Sequence, residues 1–159
     1  MRGVADREQA FFEHTLLISA APTRVLAAFT DPVALQAWWQ VTRSVTTARV
    51  PGVFAVEWVP TADRDDLLGR LGGVFHGTVV EYRPGRELFV ADAWWLPPDG
   101  DPLGPMALVV RCAMDGPACR LTVTQSGLGE GARWARYREV IGRGWRSSLA
   151  LLKSRLEEP

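Results

Sequence analysis

The chain has 159 residues, enough for one domain that removes roughly 68–70% of its unfolded surface from water. Eighteen basic residues balance eighteen acidic ones and 47% of the chain is hydrophobic, so the composition is globular and no net field favours nucleic acid or an anionic membrane. No apolar run reaches the ~18 residues of a membrane span or the pattern of a signal peptide, and two histidines with two cysteines make no metal-ligand set, so a cytoplasmic protein without metal or cofactor is expected.

Residues 1–10 read as a flexible leader before a domain over 11–157. Phe11 to Ser19 is expected as the entry strand. Pro22 suits the first turn of a short helix whose apolar side is Val25, Leu26 and Phe29. A second helix follows, with Thr30 or Asp31 as N-cap, Pro32 at its first position, and Val33, Leu35, Trp38 and Trp39 as its apolar residues. Phe54, Val56 and Trp58 then alternate as a strand, and the charged stretch from Pro60 to Gly69 reads as a mobile loop. Val74 to Tyr82 and Glu87 to Trp95 flank Arg83-Pro84-Gly85-Arg86, where Pro followed by Gly favours a type II turn. Four prolines between Leu96 and Pro105 mark a loop.

Ala107 to Met114 and Ala118 to Gln125 make the last hairpin, with Cys119, Leu121 and Val123 alternating against Arg120, Thr122 and Thr124. Cys112 and Cys119 flank Asp115-Gly116, a short-turn signal that sets the thiols across from each other. In a reducing cytosol they serve as two small buried hydrophobes. The final helix runs from about Trp134 to Leu156. Trp134, Ile141, Trp145, Leu149, Leu152 and Leu156 form its apolar stripe, opposite Arg136, Glu139, Arg143, Arg146 and Lys153. Gly142 and Gly144 each weaken it by about 1 kcal/mol relative to alanine, which suggests close backbone packing there. The class is α+β: a curved antiparallel sheet wrapped around a long amphipathic helix.

Three stretches carry a family resemblance. They are Ala21-Pro22 through Phe29-Thr30-Asp31-Pro32 to Trp38-Trp39, then Gly77-Thr78-Val79-Val80-Glu81-Tyr82 to Glu87-Leu88, and Leu121-Thr122-Val123-Thr124-Gln125-Ser126-Gly127 followed by Gly144-Trp145, Leu149 and Leu152. In order and spacing they resemble the START-like (SRPBCC, helix-grip) superfamily, and within it the family related to the activator of heat-shock-protein-90 ATPase. The resemblance implies a helix-grip fold with a hydrophobic cavity between sheet and long helix. It carries over no shared catalytic motif. Two departures stand out: Asp92 interrupts the apolar series Leu88, Val90, Trp94, and Ile141 stands where relatives often have histidine.

Seven tryptophans are many for this length; they either line a cavity suited to a flat apolar ligand or fill the core. The candidate ligand-binding set is Trp38, Trp58, Phe75, Asp92, Trp94, Leu108, Val123, Gln125, Arg138 and Trp145. With Pro84-Gly85 as a two-residue turn, Val79 pairs with Val90, Gly77 with Asp92 and Phe75 with Trp94. Gly77 then leaves room for an Asp92 carboxylate, and the resemblance turns this face inward. Such a carboxylate needs a partner, which Arg138 or a ligand donor would supply. No catalytic residue is assigned: His76 stands alone, and Ser126, Ser147 and Ser148 sit in no nucleophile elbow. The expected function is non-enzymatic binding of a small hydrophobic or aromatic molecule. A cyclase- or aromatase-like enzyme and a co-chaperone-like interaction domain are the alternatives. Phe89, Ala91, Ala93 and Trp95 on the other sheet face would serve the latter, or a homodimer.

Overall fold

The computed structural model describes residues 11–159; the leader expected over 1–10 lies outside the described residues. In chain order the elements are β1 (Phe11–Ile18), α1 (Pro22–Ala27), α2 (Pro32–Trp39), β2 (Arg43–Thr46), β3 (Gly52–Trp58), β4 (Arg64–Asp65), β5 (Gly69–Arg70), β6 (Gly73–Arg83), β7 (Glu87–Leu96), β8 (Leu103–Asp115), β9 (Ala118–Ser126) and α3 (Ala132–Glu157). Seven strands pair in the order β1-β9-β8-β7-β6-β3-β2, every pair antiparallel. This is the α+β helix-grip arrangement.

Local chemistry accounts for most of these elements. Pro32 occupies the first turn of α2, and the Asp31 carboxylate accepts the Ala34 amide at 2.9 Å as its N-cap. On β9, Cys119, Leu121, Val123 and Gln125 are buried on one face, as the period of two requires. That face meets α3, whose Trp145, Leu149 and Leu152 are buried. Trp134, Ile141 and Leu156 pack on the core only partly buried. Gly142 is a genuine close approach: a Cβ there would meet Arg146 at 3.3 Å and the Phe12 ring at 3.4 Å. Gly144 is not, since a Cβ there would meet nothing within 4 Å.

The structure departs from the sequence-based expectation in four places. The stretch from Pro60 to Gly69 is not a bare loop, because β4 and β5 pair as a small hairpin around a buried Leu68. The proline-rich loop ends at Leu103, two residues before Pro105, as β8 extends to pair Leu103 with Trp95. The last hairpin turns at Gly116-Pro117, so Cys112 faces Leu121 and Cys119 faces Met114. Both thiols are free and buried, and burial raises the pKa of each, which keeps them protonated.

The fourth departure concerns register. The hairpin between β6 and β7 closes over three residues, pairing Arg83 with Glu87. A bulge between Val79 and Glu81 restores the expected Val79–Val90 pair. A second irregularity then falls on β7 itself: Thr78 pairs with Ala91 but His76 pairs with Trp94. The extra residue is accommodated at Asp92, whose φ of 50° is left-handed. One added residue turns every later side chain to the opposite face, so Phe75 pairs with Trp95 rather than with Trp94.

Candidate functional site

Between α3 and the concave sheet face lies a cavity of about 300 Å³. Its walls are aromatic. On one side Trp39 lies 4.7 Å from Trp145 and 5.0 Å, edge-on, from Trp58, measured between ring centroids. On the other, Trp95 stacks on Tyr137 at 5.3 Å. Phe75 also lines it, and the segment from Val59 to Gly72 closes one flank with Leu68 and Leu71.

That flank is tethered. The Asp65 carboxylate accepts the Leu67 and Leu68 amides at 3.1 and 3.0 Å through one oxygen, and Arg136 Nε at 2.7 Å through the other. Burial works against the charged carboxylate, but the bonds from Arg136 and the two amides outweigh it and leave its pKa below the ordinary value. The tether joins the β4–β5 hairpin to α3 and holds Leu68 against the cavity.

Three polar side chains meet at the cavity wall. Trp145 Nε1 donates to Gln125 Oε1 at 2.9 Å, and Gln125 Nε2 donates to the Tyr137 hydroxyl at 2.8 Å and to Met106 Sδ at 3.3 Å. Burial raises the Tyr137 pKa, offset only in part by the bond from Gln125, so the phenol stays protonated. The described residues lining the cavity include no Asp, Glu, Lys, Arg or His.

Of the ten candidate residues, Trp58, Phe75, Gln125 and Trp145 line the cavity. Leu108 and Val123 are fully buried in the core on neighbouring strands and are not among the lining residues. Trp38 stands one layer back: it stacks on Trp39 at 5.1 Å, meets Phe29 edge-on at 4.9 Å, and donates its indole N–H to Ala28.

Asp92 and Trp94 must be corrected. The bulge sends Asp92 to the exposed outer face, where its carboxylate accepts the Trp94 indole N–H at 3.2 Å. The space expected above Gly77 does not exist, because a Cβ there would lie 2.6 Å from Val90 and 2.8 Å from the Ala91 carbonyl. Arg138 is corrected too: its Nε donates to the Phe11 carbonyl at 3.2 Å, toward β1 rather than into the cavity. The outer patch expected from Phe89, Ala91, Ala93 and Trp95 is broken by the same bulge, which buries Ala93 and Trp95.

The sequence reading missed Trp39, Trp95 and Tyr137. Tyr137 had a visible signal, since it begins the four-residue series Tyr137, Ile141, Trp145, Leu149. Trp39 and Trp95 had none: each is one of two adjacent tryptophans, and only the packing selects between them.

Comparison with known proteins places this architecture. No curated protein sequence matches the chain. Among solved structures, protein CV1439 from Chromobacterium violaceum is 22% identical with a TM-score of 0.70, over 94% of this chain and 99% of its own. The Aha1 protein from Colwellia psychrerythraea, solved as a dimer, is 17% identical with a TM-score of 0.66, over 92% of this chain and 96% of its own. Protein Ms6760 from Mycobacterium smegmatis is 15% identical with a TM-score of 0.68, over 94% of this chain and 92% of its own. At these identities the likeness is one of fold. The sequence model described as activator of Hsp90 ATPase homolog 1-like protein matches residues 19–157, and the chain belongs to that family.

Proposed function

We propose that this protein binds a small, neutral, aromatic molecule in the cavity between the sheet and α3. The observation that carries the proposal is an aromatic wall from five tryptophan and tyrosine side chains around a space with no charged lining residue among those described. An ion entering such a space loses its hydration without an opposite charge to replace it, whereas a flat apolar molecule gains contact on both ring faces. The volume of about 300 Å³ lies at the lower end of small-molecule sites, which span roughly 300–1,000 Å³.

The same wall argues against a cyclase-type reaction. The titratable lining group among the described residues is Tyr137, and burial raises its pKa, so it is a poor proton acceptor at neutral pH. The proposed setting is the reducing cytoplasm, where two buried thiols on neighbouring positions of one hairpin face stay reduced. Among the described residues, no helix is long and apolar enough to cross a membrane. For a homodimer, the exposed Val45 and Val53 on β2 and β3 replace the broken patch as the candidate surface.

The test is titration with the neutral fluorophore N-phenyl-1-naphthylamine. Native protein is expected to bind about one equivalent, quench tryptophan emission and melt higher. A hundredfold excess over Kd stabilises by about 2.7 kcal/mol through linkage. Fluorescence enhancement that appears only after heat denaturation would show that the folded cavity takes no ligand.

A further inference from the structure

Hydrogen-bond direction along the polar chain is decided by chemistry alone. An indole N–H only donates, so the Gln125 atom that meets Trp145 at 2.9 Å is the oxygen. The amide nitrogen therefore faces Tyr137, at 2.8 Å. An amide N–H only donates as well, so the Tyr137 oxygen accepts. Its own hydrogen remains to be placed.

Among the described residues the Tyr137 hydroxyl has this one hydrogen-bond partner. The side chain is 4% exposed and lines the cavity. Buried hydroxyl donors are satisfied in the great majority of structures, by protein or by ordered water, and with no second partner among the described residues the acceptor for this one is water or a molecule bound in the cavity. The second amide hydrogen of Gln125 is spent on Met106 Sδ at 3.3 Å. The indole donors of Trp58, Trp95 and Trp145 are also committed, to the Trp39 carbonyl, the Gly72 carbonyl and Gln125. Trp39, Gln40 and Ser148 bring further donors to the lining, of which Gln40 is exposed and Ser148 half-buried, whereas the Tyr137 hydroxyl is held in place from within the core.

We infer that the Tyr137 hydroxyl donates a hydrogen bond to the bound molecule, so that the site selects neutral aromatic compounds bearing an acceptor oxygen, of the ring-ketone or quinone class. The inference rests on the proposed binding function and adds the polarity of the ligand. Gln125 and Trp145 are positioning residues here: together they hold the phenol oxygen as an acceptor and so aim its hydrogen away from Gln125. A hydrocarbon of the same shape fills the aromatic walls but leaves that hydrogen unbonded.

Fluorene and 9-fluorenone test this, since both are flat and differ only in the group at the bridging carbon, a methylene or a carbonyl. The native protein is expected to bind fluorenone roughly three- to tenfold more tightly, the ratio that one neutral hydrogen bond supplies. Tyr137→Phe is expected to abolish the preference, bringing the ratio of fluorenone to fluorene affinity, both measured on the variant, to about one. Because the variant loses a buried hydrogen bond and some stability, a second readout uses the native protein alone. The carbonyl stretch of bound fluorenone should move to lower frequency than in an aprotic solvent. Equal affinities with an unshifted carbonyl stretch would overturn the inference and leave the binding function standing. Failure of both compounds to bind would overturn the binding function and the inference with it.

Discussion

Gly144 offers the sharpest separation between packing and binding. It lies within α3 beside Trp145, lines the cavity, and has open space where a Cβ would stand. Its φ is not in the left-handed region, so an L side chain meets no backbone strain. Gly144→Ala should therefore gain the helix-propensity difference of about 0.8–1 kcal/mol, with a rise in Tm of about 2–4 °C for a domain of this size. One added methyl barely intrudes on a cavity of about 300 Å³, so ligand affinity should stay within about twofold of the native value, or ~0.4 kcal/mol. Gly144→Leu keeps most of the helical gain but places four carbons at the mouth of the cavity, where Gly144 is exposed. Leucine is a good helix former, and each methylene that reaches the aromatic wall adds up to about 0.8 kcal/mol. The variant should be at least as stable as the native protein and bind N-phenyl-1-naphthylamine at least tenfold more weakly, about 1.4 kcal/mol. Urea denaturation and fluorescence titration measure the two quantities separately. Destabilisation by Gly144→Ala would refute the open position of this glycine, and native affinity in Gly144→Leu would refute its place on the binding site.

Two further outcomes follow from corrected positions. Asp92→Asn should leave ligand affinity unchanged within about twofold, because the carboxylate is on the outer face and asparagine tolerates its left-handed backbone; a tenfold loss in the same titration would return Asp92 to the cavity. The Asp65 carboxylate has a folded pKa below its unfolded one, so its contribution is fully present above the ordinary value of about 3.9 and disappears as pH falls through the lower folded value. Hydrogen exchange at the Leu67 and Leu68 amides, corrected for the intrinsic rate, should accelerate on that acid side and at neutral pH in Asp65→Ala. Unchanged protection in both conditions would show that the tether does not hold the hairpin.

Period-two alternation and helical spacing are local properties, and what they govern was legible. The run from Cys119 to Val123 extends without interruption to Gln125, which placed that amide inward before any coordinates. The spacing of Trp145, Leu149 and Leu152 likewise determined which side of α3 is buried. Wherever the backbone keeps its period, side-chain direction follows from counting. Family membership was legible too, because the order of short motifs survives even where each one is weak.

What only the tertiary structure decided lies beyond a break in period. One residue added at Asp92 reverses the faces of Trp94 and Trp95; an aspartate tolerates the left-handed backbone and a glycine within the facing strand permits a bulge, but neither fixes where the extra residue falls. At the bulge β7 lies closer to Gly77 than a side chain there would permit, which is a contact between two strands and is seen only once they are paired. The two glycines of α3 make the same point. Gly142 and Gly144 are two residues apart and alike in sequence, yet one meets the Phe12 ring and the other faces open space. Their difference is set by what stands across from each helix face. The cavity is likewise a property of the assembled walls: Trp39 comes from α2, Trp95 from β7, Tyr137 from α3 and Leu68 from the tethered hairpin, and only folding brings these side chains around one space.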